Sequence, residues 1–541
     1  MPTRFYNTLH HRLEDFIPLH PGPDAANPIL GSQIGIYSCG PTVYDYAHIG
    51  NFRAFLFSDV LRRYLELRGA QVTHVMNMTD VGHMTDDQLA DGAGRDKLEV
   101  AVEKMKENKK DGKALIENPN DPFAVADFFA RAFLQDARLL GLGVVADYDL
   151  ATTHESKERI IPRPTRHIPE FIEMIQTLMA RGHAYKGDDG VVYYDIHSFP
   201  AYGKLSGNSL EQLSHGAGGR TNEQAAKKHP ADFFLWKPDA HHIMRWPSPW
   251  GEGYPGWHIE CSVMSIRALG QSFDLHTGGE DNIHPHHECE IAQSEGATGK
   301  PFVKYWMHTR HLMVNGEKMS KSKGNFFTIR DLTTMGFDPV VIRWGLISTR
   351  YREPMNFTVQ SLYEAAAAIT TLRDLADKLI AAVAAVDEAA GDGDFAAPDG
   401  ISEAVHDPVL EPADQRMLAE FNSAMDDDLN ISGALAALFT WANPLHKHKK
   451  LAYPQARSAL QSLKKVDHVL GVVFVDLQAL PQDKQRHVED LMQKRAAARQ
   501  HKDFAASDMI RRQLLSLGVE VKDTPAGTTW RPRLAPEKLS Q

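Results

Sequence analysis

The chain has 541 residues, 43% of them hydrophobic and 24% charged, with a formal net charge of −11. At about 150 residues per domain this is a folded chain of three or four domains, and the proportions exclude a disordered or collagen-like polypeptide. No run of about 18 apolar residues occurs, so no membrane-spanning helix is expected, and the first fifteen residues lack the apolar stretch of a signal peptide.

Only three cysteines are present, Cys39, Cys261 and Cys289. An odd, sparse set argues against a disulfide framework and for a reducing, cytoplasmic setting. The charge is uneven. Asp374 to Asp428 holds 15 acidic and 2 basic residues, whereas Leu491 to Gln541 holds 10 basic and 5 acidic. A basic end behind an acidic spacer is compatible with local binding of a polyanion, although two solvated faces would give the same counts.

In chain order, Ile34 to Cys39 reads as a short buried strand ended by Gly40-Pro41. From Asn51 to Gly69 the spacing of Phe52, Phe55, Leu56, Val60, Leu61, Tyr64 and Leu65 predicts a helix with Gly69 as its stop. A second strand follows over Gln71 to Met78, completing a parallel βαβ unit. Residues 85 to about 122 are polar and Lys-rich and read as an insertion, helical in part, before helical periodicity resumes over Asp121 to Leu142. The middle of the chain mixes helices, such as Ile168 to Gly182, with strand-like Gly190 to Asp195, and a second strand-and-helix set runs from Gly256 to about Ser322. Beyond Asp338 the chain reads as mostly helical. Ser361 to Ala390 is an Ala-rich helix, Asp392 to Pro412 a linker, and helices continue from Asp414 to about Gly471. A last domain from about 486 opens with a helix at His487 to Arg499 and ends in turns and Pro-rich residues. No internal repeat is evident.

Three constellations carry chemistry. Pro41 to Asn51, containing His48-Ile49-Gly50-Asn51, lies between a strand and a helix, where free N–H groups and the helix dipole make a phosphate site. His48 can donate to a phosphate oxygen and Gly50 lets a ligand approach the backbone. The second is Lys318-Met319-Ser320-Lys321-Ser322-Lys323-Gly324, three lysines on a Ser/Gly-rich loop suited to a triphosphate. The third is metal-like. Cys39, Cys261, His286 and Glu290 offer two thiolates, an imidazole and a carboxylate, with His286 and Glu290 at i and i+4 on one helix face. By spacing alone this set also fits buried cysteines beside a helix ion pair.

Taken together, His48 to Asn51 and Lys318 to Ser322 resemble the paired HIGH and KMSKS signatures of class I aminoacyl-tRNA synthetases, with Asn51 in the last place of the first and every position matched in the second. The segments Ser38 to Asp45, Gly256 to Ser262 and Pro285 to Ser294 are similar to the cysteinyl-tRNA synthetase family. The resemblance implies one Zn²⁺ per subunit, held by Cys39, Cys261, His286 and Glu290, that binds the substrate thiolate. A soft cation of this kind separates cysteine from serine without editing. It also implies that His48, Asn51, Lys318 and Lys321 form the catalytic set, with Gly50 and Asp281 at ATP and Gly40, Thr79 and Trp257 at the amino acid. Cys289 stands where the family usually has Asn, which leaves open a Cys₃His shell with Cys289 in place of Glu290.

The C-terminal segments Arg499 to Asp508 and Leu517 to Arg531 resemble the family's anticodon-binding domain. They imply base contacts from Arg499, Phe504, Asp508 and Asp523, Phe504 replacing the usual Trp. Cysteine ligases that use an amino-sugar acceptor share the zinc pocket and both signatures, but lack such an end. The expected fold is α/β, a split Rossmann-like parallel sheet with an inserted connective domain, then a helical bundle and a small anticodon-binding domain. The expected boundaries are 1–142, 143–255, 256–337, 338–485 and 486–541. The expected activity is ATP-dependent ligation of L-cysteine to tRNA(Cys), with Mg²⁺ accompanying ATP, by a cytoplasmic monomer that uses no membrane.

Overall fold

The computed structural model describes residues 2–86, 93–111, 113, 115–150, 159–209, 226–320, 323–387, 410–477, 482–524 and 527–537. Its centre is a four-stranded, wholly parallel sheet made of two sequence-distant halves. The first half is β1 (Gln33–Ser38), α1 (Ile49–Leu67) and β2 (Gln71–Met76). The second is α2 (Trp257–Leu269), β3 (Phe273–Gly279), α3 (Glu288–Thr298) and β4 (Val303–Thr309). The strand order is β4-β3-β1-β2. Ile36 lies beside His74 on β2 and beside Leu275 on β3, and Leu275 lies beside Tyr305 on β4. Strands covered on both faces must be almost continuously apolar, which is why Ile34, Ile36 and Tyr37 are all buried.

β1 and β3 are neighbours whose following helices lead away to opposite sides. A crevice therefore opens at their carboxyl ends, where doubly wound sheets place ligands. Cys39, Gly40 and the His48 segment follow β1 into that crevice, and Glu280–Asn282 follows β3. The apolar stripe predicted for α1 is buried as expected. The helix starts two residues before Asn51 because His48 caps it. His48 Nδ1 accepts from the Asn51 amide at 3.2 Å, and Asn51 Oδ1 accepts from the His48 amide at 3.1 Å.

Between the halves stand a helix at Ile168–Ala180 and a four-stranded antiparallel sheet ordered 253–255, 233–238, 192–194 and 184–186. The Lys-rich insertion contains a hairpin, Met84–Asp86 with Ala93–Asp96, and a helix, Lys97–Lys110, capped by Asp96. The C-terminal half is helical as expected: Val359–Asp387, Pro412–Asp426, Ile431–Lys447 and Tyr453–Leu470. Most of the expected linker lies outside the described residues.

α1 is bolted to the helical part by a buried charge cluster. Asp59, fully buried, accepts from Arg343 at 2.8 Å, Arg63 at 2.7 Å and Arg62 at 2.9 Å. The three guanidiniums hold its carboxyl far below the usual carboxylate range despite burial.

One expectation is corrected, and two further features have no counterpart in the sequence reading. The chain end is not only turns: Val519–Thr524 and Gly527–Pro532 form an antiparallel hairpin behind helices Gln482–Gln500 and Phe504–Ser516. Val519 and Val521 face inward, a period-2 pattern too short to outweigh the turn-forming composition beside it. The C-terminal positive charge is partly spent inside the chain, because Lys522 and Arg531 each lie 3.0 Å from Asp374 of the long helix. Finally, the N-terminus forms a hairpin, Arg4–Asn7 with Arg12–Asp15, that docks on the Asp426-Asp427-Asp428 corner.

Candidate active site and metal centre

The ligand atoms of Cys39, Cys261, His286 and Glu290 all lie within 4.8 Å of one another. Cys39 leaves the end of β1, Cys261 sits one turn into α2, and Glu290 sits in the first turn of α3. The two sulfurs are 4.0 Å apart, Cys39 Sγ is 3.8 Å from Glu290 Oε1, and His286 Nε2 is 3.1 Å from the same oxygen. Cys261, His286 and Glu290 are buried.

Such a buried donor set is electrostatically unbalanced without a cation. Burial and the neighbouring Cys261 push the Cys39 thiol well up. Burial would push Cys261 up as well, but the hydrogen bond from Cys39 and the charge of His286 bring it down to about 6. Burial would neutralise His286, yet Glu290 and Cys261 lift it to about 10. Against the same burial, His276 and His286 hold Glu290 down to about 2. Two thiols, an imidazole and a carboxylate, drawn together in one buried cluster, suit a small thiophilic cation.

A second group, Cys39, His276, His287 and Glu290, shares two members with the first. His276 Nε2 lies 2.9 Å from Glu290 Oε2, and His287 Nε2 lies 3.2 Å from Cys39 Sγ. His287 continues through His308 (2.8 Å) to Thr8 (2.8 Å), while His286 Nδ1 faces His258 Nδ1 at 2.9 Å. These outer imidazoles orient the donors in the manner of second partners at metal sites. His258, His276, His287 and His308 were not singled out from the sequence, though the density of His in Pro285 to Glu290 is a signal.

Neither group contains Cys289. It faces the other way, its sulfur 3.3 Å from the Tyr202 hydroxyl within the core of the middle domain. The Cys₃His alternative is thereby set aside, because successive residues of a helix are about 100° apart and Glu290 takes the inward direction.

Trp257, the first residue of α2, stacks on His286 with ring centroids 4.1 Å apart. Thr79 bridges to Thr42 and accepts from Asn77 Nδ2 at 3.0 Å, and the Gly40 amide donates to Asn77 Oδ1 at 2.9 Å. Asp281 is exposed beyond β3. Glu280 beside it is paired with Arg310 and His311.

The two signatures meet. Ile49 donates to the Phe327 carbonyl at 3.0 Å, the His48 ring packs edge-on to Phe326 at 5.2 Å, and Gly50 lies against Met319 so closely that a Cβ there would stand 2.9 Å from Met319 Cε. Asn325 holds the loop shut, accepting from the Ser320 amide at 2.8 Å and donating to the Lys318 carbonyl at 3.2 Å. Lys318 is exposed, and Lys321 lies outside the described residues.

At the far end of the chain, Phe504 and Asp508 share a face of one helix, and Phe504 is 65% exposed. Asp523 is engaged within the chain. It accepts a two-pronged contact from Arg495 (2.9 and 2.8 Å), another from Arg499, and one from Thr528 at 2.8 Å. Arg495, which these contacts bring to the cluster, was not foreseen.

Residues 25–367 match the family model for the class I (C) tRNA synthetase catalytic domain, 420–475 the DALR domain, and 482–531 the cysteinyl-tRNA ligase anticodon binding domain. The chain is 40% identical to the cysteine–tRNA ligase of Salinibacter ruber, over 98% of each chain. It is 39% identical to that of Symbiobacterium thermophilum, over 98% of this chain and all of the other. Among solved structures, Mycobacterium tuberculosis methionyl-tRNA synthetase in complex with methionyl-adenylate shares the fold, with a TM-score of 0.51 at 14% identity over 82% of this chain and 91% of that one.

Proposed function

The chain belongs to the cysteine–tRNA ligase family of class I aminoacyl-tRNA synthetases and is a ligase; on that premise we propose that it joins L-cysteine to the 3′ end of tRNA(Cys) through a cysteinyl-adenylate made from ATP. The observation that carries this reading is the convergence of Cys39, Cys261, His286 and Glu290 within 4.8 Å of one another, with Cys39 directly after β1.

Zn²⁺ is the cation that this donor set fits. When bound, it supplies a soft Lewis acid for the substrate sulfur, which a serine hydroxyl cannot satisfy equally. The protein's own residues do the rest. Trp257 walls the amino-acid pocket, and Gly40 and Thr79 border it. Asp281 takes the ATP ribose, while Gly50 leaves room for the nucleotide against the backbone. The substrate carboxylate attacks the α-phosphorus and pyrophosphate leaves, with His48, Lys318 and Lys321 stabilising the developing charge. Asn51 fixes the His48 backbone for this role through the reciprocal cap. A terminal hydroxyl of the tRNA then takes the cysteinyl group and AMP leaves. Mg²⁺ travels with the ATP phosphates. Arg499, Phe504, Asp508 and Asp523 form the anticodon contact. The same reading divides the chain at 142, 255, 337 and 485 and has it act in the cytoplasm as a monomer. Among the described residues, no helix is long and apolar enough to cross a membrane.

The test is charging of purified tRNA pools with cysteine and with serine, alongside metal analysis of the same protein. Charging with cysteine alone by protein holding one zinc per chain is expected. Cys39→Ser should raise the KM for cysteine far more than the KM for ATP. Serine charged as readily as cysteine would overturn the reading.

A further inference from the structure

His83, just ahead of the insertion that follows the first βαβ unit, touches Trp257 directly, and the insertion grips both segments from Lys97 and Asp96. His83 stacks on Trp257 with ring centroids 4.0 Å apart and planes 14° from parallel, on the face opposite His286. Trp257 is thus the middle of three stacked rings, one of which belongs to the metal-ligand group.

His83 is itself clamped. Its Nδ1 lies 2.6 Å from Thr42 Oγ1 and its Nε2 lies 2.8 Å from Lys97 Nζ. Lys97 opens the inserted helix, its amide donates to the His83 carbonyl at 2.8 Å, and its ammonium stands 5.4 Å over the Tyr44 ring. The imidazole cannot turn away from Trp257 without breaking contacts at both nitrogens.

A second grip closes from the other side. Asp96, which caps that helix, faces His242 Nε2 at 3.5 Å, and the His242 ring stacks on Tyr254 at 3.9 Å. Tyr254 belongs to the strand that runs directly into Trp257. Between the two grips Gly82, at φ +74°, lies so near the Pro255 carbonyl that a Cβ would stand 2.7 Å from its oxygen. Any side chain there would force the His83 and Trp257 segments apart.

From this geometry we propose that the insertion is a clamp on the amino-acid pocket, with His83 and Lys97 as positioning residues that hold Trp257 flat against His286. The proposal rests on the cysteine-ligase reading for the identity of the pocket. An insertion serving only to enlarge the core would not reach the pocket wall through two separate contacts.

The test uses the full-length, metal-loaded protein and the variants His83→Ala, His83→Phe and Lys97→Met. In cysteine-dependent pyrophosphate exchange, His83→Ala should raise the KM for cysteine about tenfold and Lys97→Met about threefold, with the KM for ATP changed less than about twofold. His83→Phe keeps the stack and should recover most of the loss. Acrylamide quenching of Trp257 fluorescence, taken as the difference between each variant and its Trp257→Phe partner, should increase in His83→Ala and not in His83→Phe. An unchanged KM for cysteine in both His83→Ala and Lys97→Met overturns the clamp, as does an equal rise for ATP. If His83→Ala does not fold, Lys97→Met at its half-exposed site decides by the same criteria. Should the unaltered protein show no cysteine-dependent exchange, the functional reading fails instead. The quenching difference then judges the clamp alone, and unchanged quenching overturns it.

Discussion

The charge balance of the ligand cluster sets how metal binding responds to pH. Near neutrality the metal-free cluster carries Cys261 and Glu290 as anions, with Cys39 and His286 protonated. A cation taken up by all four must displace two protons, one from the raised Cys39 thiol and one from His286, lifted to about 10. Each displaced proton contributes about 1.4 kcal/mol per pH unit, so affinity should strengthen about a hundredfold per unit. The sign follows from both groups being raised: higher pH weakens the proton's competition with the metal. In the metal-free protein the raised His286 stabilises the fold with the opposite dependence, fully below its ordinary value of about 6.5 and vanishing as pH rises through about 10. The assay is competition with a chromophoric chelator between about pH 6.5 and 8, corrected for the chelator's own protons. Glu290→Gln removes the main cause that lifts His286, so it should lower affinity at every pH and reduce the dependence to about tenfold per unit. Affinity that is flat or weakens with rising pH in the unaltered protein would refute the assignment of proton positions.

Three other outcomes are expected. Asp59→Ala strands Arg343 in the core and should destabilise by about 3–5 kcal/mol, read from urea unfolding, and a loss under about 1 kcal/mol would show that the cluster does not bind α1 to the helical part. Gly50→Ala crowds Met319 and the His48 ring, at 2.9 and 3.0 Å, and should slow single-turnover adenylate formation about tenfold; an unchanged rate would mean that the signatures need not touch. Phe504→Ala removes an exposed ring suited to stacking on a base and should raise the KM for tRNA about tenfold while pyrophosphate exchange without tRNA stays within about twofold; equal loss in both assays would place Phe504 in folding instead.

What could be read from the sequence was what neighbours in the chain decide. The stripe from Phe52 to Leu65 fixes a helix because its period is that of a helix, and it buries as expected. His48 to Asn51 and Lys318 to Ser322 could be proposed as phosphate-binding segments because a short run carries both a helix start or turn-forming composition and the charge. His286 and Glu290 could be paired because i and i+4 share a face.

Tertiary structure decided everything that depends on strand order and on helices meeting across the sheet. Cys39 and Cys261 are 222 residues apart and become neighbours only because β3 docks beside β1. The direction of Cys289, away from the cluster and into the middle domain, depends on how α3 is rotated against that core. That Arg495 and Arg499 both lie against Asp523 was likewise decided by folding, which brings a helix to a hairpin strand. The stack of His83 on Trp257 had no local sign at all, since it joins the segment leading into a polar insertion to a helix more than 150 residues on. Periodicity and composition report on backbone shape and on which face is apolar. Which charges and rings finally share a cavity is set by packing between distant segments, whose free energy no local stretch carries alone.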